Sequence, residues 1–184
     1  LWRRVAAPAV CVLLAMVWAW VGWAFHAQRY AAINWAAQGF AAAFFAEAVL
    51  WLMAALVGVR TVSVGAKDAS TTPRRAGLML WLLALVGFPL LAPMAGRPWT
   101  QAEVFGVMPD PTVLATLGSL LLWRDGRLPR AWRAGFAVVP LGWCGVGGAT
   151  LLAMNESSWP VLPAAGALWV WVAWRGWRSC RGDG

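Results

Sequence analysis

A succession of apolar runs constrains this chain most. Each lies near the roughly 20 residues that a helix needs to cross about 30 Å of hydrocarbon, and short connections between them carry almost all the charge. Of the 184 residues, 61% are hydrophobic and 12% charged, about half the charged share of an ordinary soluble domain. The expected fold is therefore all-α: a polytopic integral membrane helix bundle forming one domain over residues 1–184. Its spans fall at about 5–25, 36–58, 76–95, 107–123, 134–154 and 159–174. The fourth is the weak one, because the strongly apolar part, 111–123, reaches spanning length only with Val107, Met108, Pro109 and Asp110.

The connections set an orientation. Sorted alternately, one side holds Arg3, Arg4, Arg60, Lys67, Arg74, Arg75, Arg124, Arg127, Arg130, Arg133, Arg175, Arg178 and Arg181, and the other only Arg29 and Arg97. Lys and Arg accumulate on the cytoplasmic face, so both ends of the chain are expected there. The bias also explains the net charge of +8 without invoking nucleic acid as a partner. Arg supplies fourteen of the fifteen basic residues, beside sixteen Trp, a usage that suggests a GC-rich bacterial coding sequence and an inner membrane. The chain opens at Leu1, and a further N-terminal piece is expected. Trp23, Trp35, Trp99 and Trp159 fall near the outer boundary, and Trp2, Trp123, Trp132, Trp174 and Trp177 near the inner one. Most of them are expected to anchor and pack at the interface.

Chemistry has few places to reside. The first two runs form an apolar hairpin, and Glu47 lies near the middle of its second arm, where a carboxyl is costly and faces protein or water. It reads either as a proton or cation carrier, or as a protonated acid bonded to a neighbouring helix, for instance through a Trp N–H. His26, the only histidine, ends the first arm. Alone it makes no metal site, and Asp110 or Glu103 could join it only if the loops fold together. Asn34 reads as an N-cap of the second helix, and Asp110 before Pro111 as the N-cap of the fourth. Arg97 reads as a clamp for an anion or, more simply, as the partner of Glu103, Asp110 or Glu156. Gly142, Gly145, Gly147 and Gly148 read as close helix contact. Cys11, Cys144 and Cys180 have no metal or redox spacing. No nucleotide P-loop, GxSxG, HExxH or CxxC occurs, so neither cofactor nor metal is expected, and a soluble-type enzyme has no support.

Three stretches carry a family resemblance. The first is Trp18-Ala19-Trp20-Val21-Gly22-Trp23-Ala24-Phe25-His26 with Ile33-Asn34, Phe40 and Phe44-Phe45. The second is Pro89-Leu90-Leu91 with Gly96 and Phe105-Gly106-Val107-Met108-Pro109-Asp110-Pro111-Thr112. The third is Val139-Pro140-Leu141-Gly142-Trp143 with Gly147-Gly148-Ala149. In this order they resemble the domain-of-unknown-function family 6064, small bacterial multi-pass membrane proteins without an established activity. The resemblance implies a His where this chain has Arg97, a Cys where it has Asp110, and one further apolar segment upstream that would make seven spans.

The matching polar positions His26, Asn34, Arg97 and Asp110 all sort to the extracytoplasmic side. The functional expectation is a small ion, proton or solute carrier, with these four residues lining an outer polar site and Glu47 below it. The alternatives are a non-catalytic membrane partner or assembly subunit, and an outer-leaflet enzyme that would need His26 and Asp110 at one substrate position. The lipid bilayer is the expected partner in every case.

Overall fold

The structure, a computed structural model, describes residues 2–57, 71–123 and 130–179. Arg60, Lys67, Arg124, Arg127, Cys180 and Arg181, and the side chains of Arg3, Arg4 and Arg130, lie outside the described residues. The described chain is helical, with no strand among its residues. Four helical stretches are long and apolar enough to cross a membrane: Pro8–Ala32, Ala37–Leu56, Thr71–Met94 and Trp132–Ala153. Only 28–39% of each apolar window is buried. The remainder displays residues such as Leu13, Met16, Leu52, Met79, Leu82 and Val138 outward, more continuous apolar surface than a soluble protein exposes.

Helix α1 (Trp2–Trp20) does not end at Phe25. It continues as a π-helix over Val21–Arg29 and a 3-10 turn over Tyr30–Ala32. The expected turn therefore shrinks to residues 33–36, because no Gly or Pro breaker follows Gly22 before Asn34. Helix α2 (Ala37–Leu56) returns along it, burying a stripe of Ala37, Ala41, Phe44, Glu47, Ala48, Trp51 and Ala54, the 3–4 spacing of one helix face.

Helix α3 (Thr71–Leu82) opens into a π turn, Leu83–Gly87, and resumes as α4 (Phe88–Met94). The widened turn sits ahead of Pro89, whose ring lacks an N–H and crowds the carbonyl four residues back. Helices α6 (Arg130–Ala153) and α7 (Val161–Ser179) complete the set. α7 runs five residues beyond its expected end, where Arg175 lies 4.5 Å over the Trp171 ring and Arg178 3.9 Å over Trp174. These cation–π pairs at i,i+4 extend the last turns.

The fourth apolar run departs furthest from expectation. Helix α5 (Pro109–Leu122) has 14 residues, a rise of about 21 Å, and is not among the four stretches long enough to span. Its residues are buried on every side from Pro109 through Leu121. A helix apolar all round belongs inside a protein, and α5 packs against α1, α3, α6 and α7. Four of those neighbours tie to it through tryptophan. Trp18 of α1 donates its indole N–H to Thr116 Oγ1 (3.0 Å), Trp81 of α3 to Ser119 Oγ (3.2 Å), Trp143 of α6 to Asp110 Oδ1 (2.7 Å) and Trp169 of α7 to the Leu117 carbonyl (3.0 Å). Thr116 and Ser119 in turn donate to the Thr112 and Ala115 carbonyls. Trp18 and Trp143 thus pack and bond in the interior, and Trp123 is buried there too, edge-on to Trp51 with centroids 5.0 Å apart. Trp23, Trp35, Trp99 and Trp159 are exposed.

The glycine contact expected in α6 is half right. Gly147 and Gly148 meet Leu162 and Pro163 of α7, but nothing lies within 4 Å of a Cβ placed at Gly142 or Gly145. The tight crossing is elsewhere. A Cβ at Gly77 would lie 2.9 Å from the Gly118 carbonyl oxygen, and one at Gly118 2.8 Å from that of Gly77. α3 and α5 therefore touch backbone to backbone.

Trp18→Phe and Thr116→Val should each lower the thermal midpoint of the detergent-solubilised protein. The double variant should lose less than the sum, with a coupling of about 0.5–1.5 kcal/mol. Strict additivity in a double-mutant cycle would contradict the pinning of α1 to α5.

Candidate functional site

Six polar side chains are buried among the described residues: His26, Glu47, Asp110, Thr112, Thr116 and Ser119. Four make hydrogen bonds. His26 and Glu47 do not: both imidazole nitrogens and both carboxyl oxygens lack a partner, though each residue is 0% exposed. An unpartnered buried polar group costs roughly 1–3 kcal/mol, which selects these two as the residues to explain.

The π segment of α1 carries His26 and aims it at α2 and α6, and such segments are frequent at functional sites. Its ring is enclosed by Phe44 (centroids 4.4 Å apart), Trp143 (4.9 Å), Phe25 (5.0 Å), Phe40 (6.0 Å) and Tyr30 (6.1 Å). Gly22, one turn earlier, lets this part of α1 close on α2, since a Cβ there would stand 3.2 Å from Phe44 Cβ. Glu47 follows Phe44 by three residues, roughly 4.5 Å along α2. Trp51 follows one turn later on the same face. Its indole N–H lies close to the Glu47 carboxyl but outside hydrogen-bonding geometry, while its ring stacks on Phe136 at 4.3 Å. The Trp bond expected of a packed, neutral Glu47 is thus not made. A line of unpartnered polar atoms runs along α2: the His26 imidazole against Phe44, then Glu47, then Trp51.

Asp110 does not cap its helix. Met108 occupies the N-cap position with no side-chain bond, Pro109 is the early helical proline, and Asp110 falls in the first turn. There its charge complements the helix dipole, while Oδ1 takes the Trp143 indole N–H. Asn34 likewise stands two residues before the N-cap Ala36, whose N–H it accepts at 2.9 Å. It closes a local turn.

Arg97 follows Gly96, which adopts φ +73°, a left-handed turn that favours glycine. Its guanidinium pairs with Glu156 at 3.8 Å, with each side chain about a third exposed, so the pair contributes little to stability. Half-buried Glu103, on the loop before α5, completes this outer group. Burial chiefly pushes its carboxyl up to about 7, with the neighbouring charge of Asp110 adding to the rise, Arg97 opposing it and Glu156 reinforcing it. No group of three His, Cys, Asp or Glu among the described residues could hold a metal.

His26 and Asp110 thus share one neighbour, Trp143, the imidazole against its ring at 4.9 Å and the carboxyl on its indole N–H at 2.7 Å. Sequence reasoning passed over Trp143 itself. The available signal was Gly147 one turn on, where a Cβ would lie 3.2 Å from Trp143 Nε1 and 3.6 Å from Asp110 Oδ1; the missing side chain leaves room for the bond. An apolar groove of about 630 Å³ between the π turn of α3–α4 and α7, lined by Leu80, Leu83, Val86, Ala165 and Leu168 among others, shares no residue with this site.

Among the described residues the chain is helical, with four helices apolar enough to cross a membrane around an unpartnered acid and an unpartnered histidine; that is the class that fold and site define. The chain belongs to DUF6064, a family of unknown function, whose model matches residues 2–176. No curated protein and no solved structure matches it.

Glu103 gives the outer group a pH signature. A carboxyl whose folded pKa is raised contributes stability that is fully present below its ordinary value of 4.5 and is lost as pH rises through about 7. Glu103→Gln, which stays neutral, should flatten the fall in thermal midpoint between pH 4.5 and about 7. An unchanged pH slope in differential scanning fluorimetry would contradict the burial of this carboxyl.

Proposed function

We propose that the protein is a multi-pass protein of a bacterial inner membrane, with both ends of the chain cytoplasmic, and that it carries a proton, small ion or solute across the bilayer. Six spans support this orientation best. Thirteen basic residues against two sort to opposite sides only if α5 and α7 count as crossings. α5 falls short of the bilayer thickness, but its neighbours enclose it, and Val107 and Met108 before it extend the crossing, since irregular backbone is tolerated where protein surrounds it.

One observation carries the functional reading. Of the six buried polar residues among those described, Glu47 and His26 are the two without a hydrogen bond, and they lie against the same face of α2. An acid at mid-span with no structural bond to keep fits a group that binds and releases a charge. His26, Arg97 and Asp110 belong to the outer end of that line. Asn34 shapes the turn that leads into α2. The apolar groove beside α7 favours a second reading, a membrane partner or assembly subunit, in which Glu47 tolerates neutral replacement.

The test is flux. Purified full-length protein in liposomes with an entrapped pH dye and an imposed potential should acidify or alkalinise the lumen, and Glu47→Gln should reduce the signal to that of protein-free liposomes. Replacing the driving cation shows whether another ion is carried. Equal flux for wild type and Glu47→Gln would remove Glu47 as the carrier.

A further inference from the structure

Three of the four indoles that bond to α5 reach uncharged acceptors: the Thr116 hydroxyl, the Ser119 hydroxyl and the Leu117 carbonyl. Trp143 alone reaches a carboxyl, that of Asp110, and its bond of 2.7 Å is the shortest of the set, as a charge-assisted bond would be. The same indole is the only one of the four that touches His26. It meets His26 at 4.9 Å and 75°, Phe40 at 5.4 Å and 88°, and Phe44 at 5.5 Å and 86°, edge-on in each case. Trp143 is 8% exposed and Asp110 7%, whereas His26 behind them is 0%. The ring is thus in contact with both the Asp110 carboxyl and the imidazole.

We propose that Trp143 is the outer gate of the buried line running from His26 to Glu47, and that its hydrogen bond to Asp110 is the latch that keeps the gate shut. The proposal deepens the carrier reading and rests on it for its purpose. The arrangement has the parts a gate needs. The ring seals through edge contacts, which a small rotation breaks, and the main cost of that rotation is the bond to Asp110. The latch is one hydrogen bond, with its room guaranteed by Gly147. The groups around Asp110 are Glu103, whose carboxyl feels its charge, and Cys144, while Arg97 and Glu156 stand beside Glu103. A solute or cation arriving from outside meets this cluster before it meets the ring.

The single histidine makes the gate measurable. Full-length protein, purified in detergent on an affinity tag without histidine, is treated with diethyl pyrocarbonate at fixed pH. Modification of His26 is followed by absorbance at 240 nm and localised by mass spectrometry. Wild type should react far more slowly than free imidazole. Trp143→Phe keeps a ring but loses the N–H, and Asp110→Ala loses the acceptor. Each should speed modification by roughly tenfold or more, the shift expected when one charge-assisted hydrogen bond no longer holds the closed state. The double variant should react no faster than the quicker single one, because both remove the same bond. Trp169→Phe removes an equivalent indole bond to α5 away from His26, and should stay near the wild-type rate.

The proposal is overturned if Trp169→Phe exposes His26 as much as Trp143→Phe, which would mean general loosening of the fold. It is overturned as well if Trp143→Phe leaves the rate unchanged, or if wild-type His26 already reacts as freely as imidazole. The readout involves no flux, so failure of Glu47 as a carrier and failure of Trp143 as a gate are separately visible.

Discussion

The hydrogen bonds from tryptophan indoles to α5 hold the architecture together. Lipid supplies no hydrophobic drive between helices, so helices in an apolar surrounding associate through packing and polar contacts. Here one short helix offers a ladder of acceptors, and α1, α3, α6 and α7 each send one indole to it. The acceptors stand along α5 from its first turn at Asp110 to Ser119 near its end. Ser and Thr suit this use because each hydroxyl donates back to its own helix, Thr116 to Thr112 and Ser119 to Ala115, and still accepts from outside. The Gly77–Gly118 crossing brings α3 near enough for Trp81 to take part. With α5 fixed, the positions of its neighbours follow.

Helix α2 stands apart from this scheme. Its one tryptophan, Trp51, has an unpartnered N–H and stacks on Phe136 instead. The buried stripe that includes Trp51 also carries Glu47 and supports His26 through Phe44. The scaffold and the candidate site therefore divide the buried polar groups between them. On α5, Thr116 and Ser119 hold neighbouring helices, Thr112 holds the loop before the helix, and Asp110 alone belongs to both scaffold and site. His26 and Glu47 at the α1–α2 hairpin carry no such bond. A group whose hydrogen bonds already stabilise the fold cannot exchange a proton or ligand without loss of stability. A group with no such bonds can.

Much of this was legible in the sequence. The apolar runs and their basic connections announce helices fit for a membrane, Glu47 is conspicuous as an acid within one of them, and the resemblance carried by the Trp18–His26, Phe105–Thr112 and Val139–Ala149 stretches identifies the family. The role of α5 was not legible. Its composition resembles a lipid-facing span, and only its length of 14 residues hints that it is an interior element. Trp123, expected at the inner boundary but buried against Trp51, and the indole partners of Trp18, Trp81, Trp143 and Trp169 were hidden for a related reason. An indole is equally at home in an interface and in a core, and pairing Trp18 with Thr116, 98 positions away, needs the tertiary fold. Capping rules placed the cap two residues late, at Asp110, because Pro109 also suits the first helical position, which moves the cap to Met108. The carboxyl then becomes available to Trp143.

The central claim is that Glu47 is a buried acid kept for exchange and not for packing. Infrared difference spectroscopy of its carboxyl stretch, with Glu47→Gln to assign the band, addresses this most directly. Spectra would be taken on reconstituted protein across pH and a panel of monovalent and divalent cations. The account predicts a band, absent from Glu47→Gln, that interconverts between the protonated and ionised positions with pH or with one ion. A Glu47 band that stays at the protonated position throughout would contradict it and leave Glu47 an acid of the helix packing.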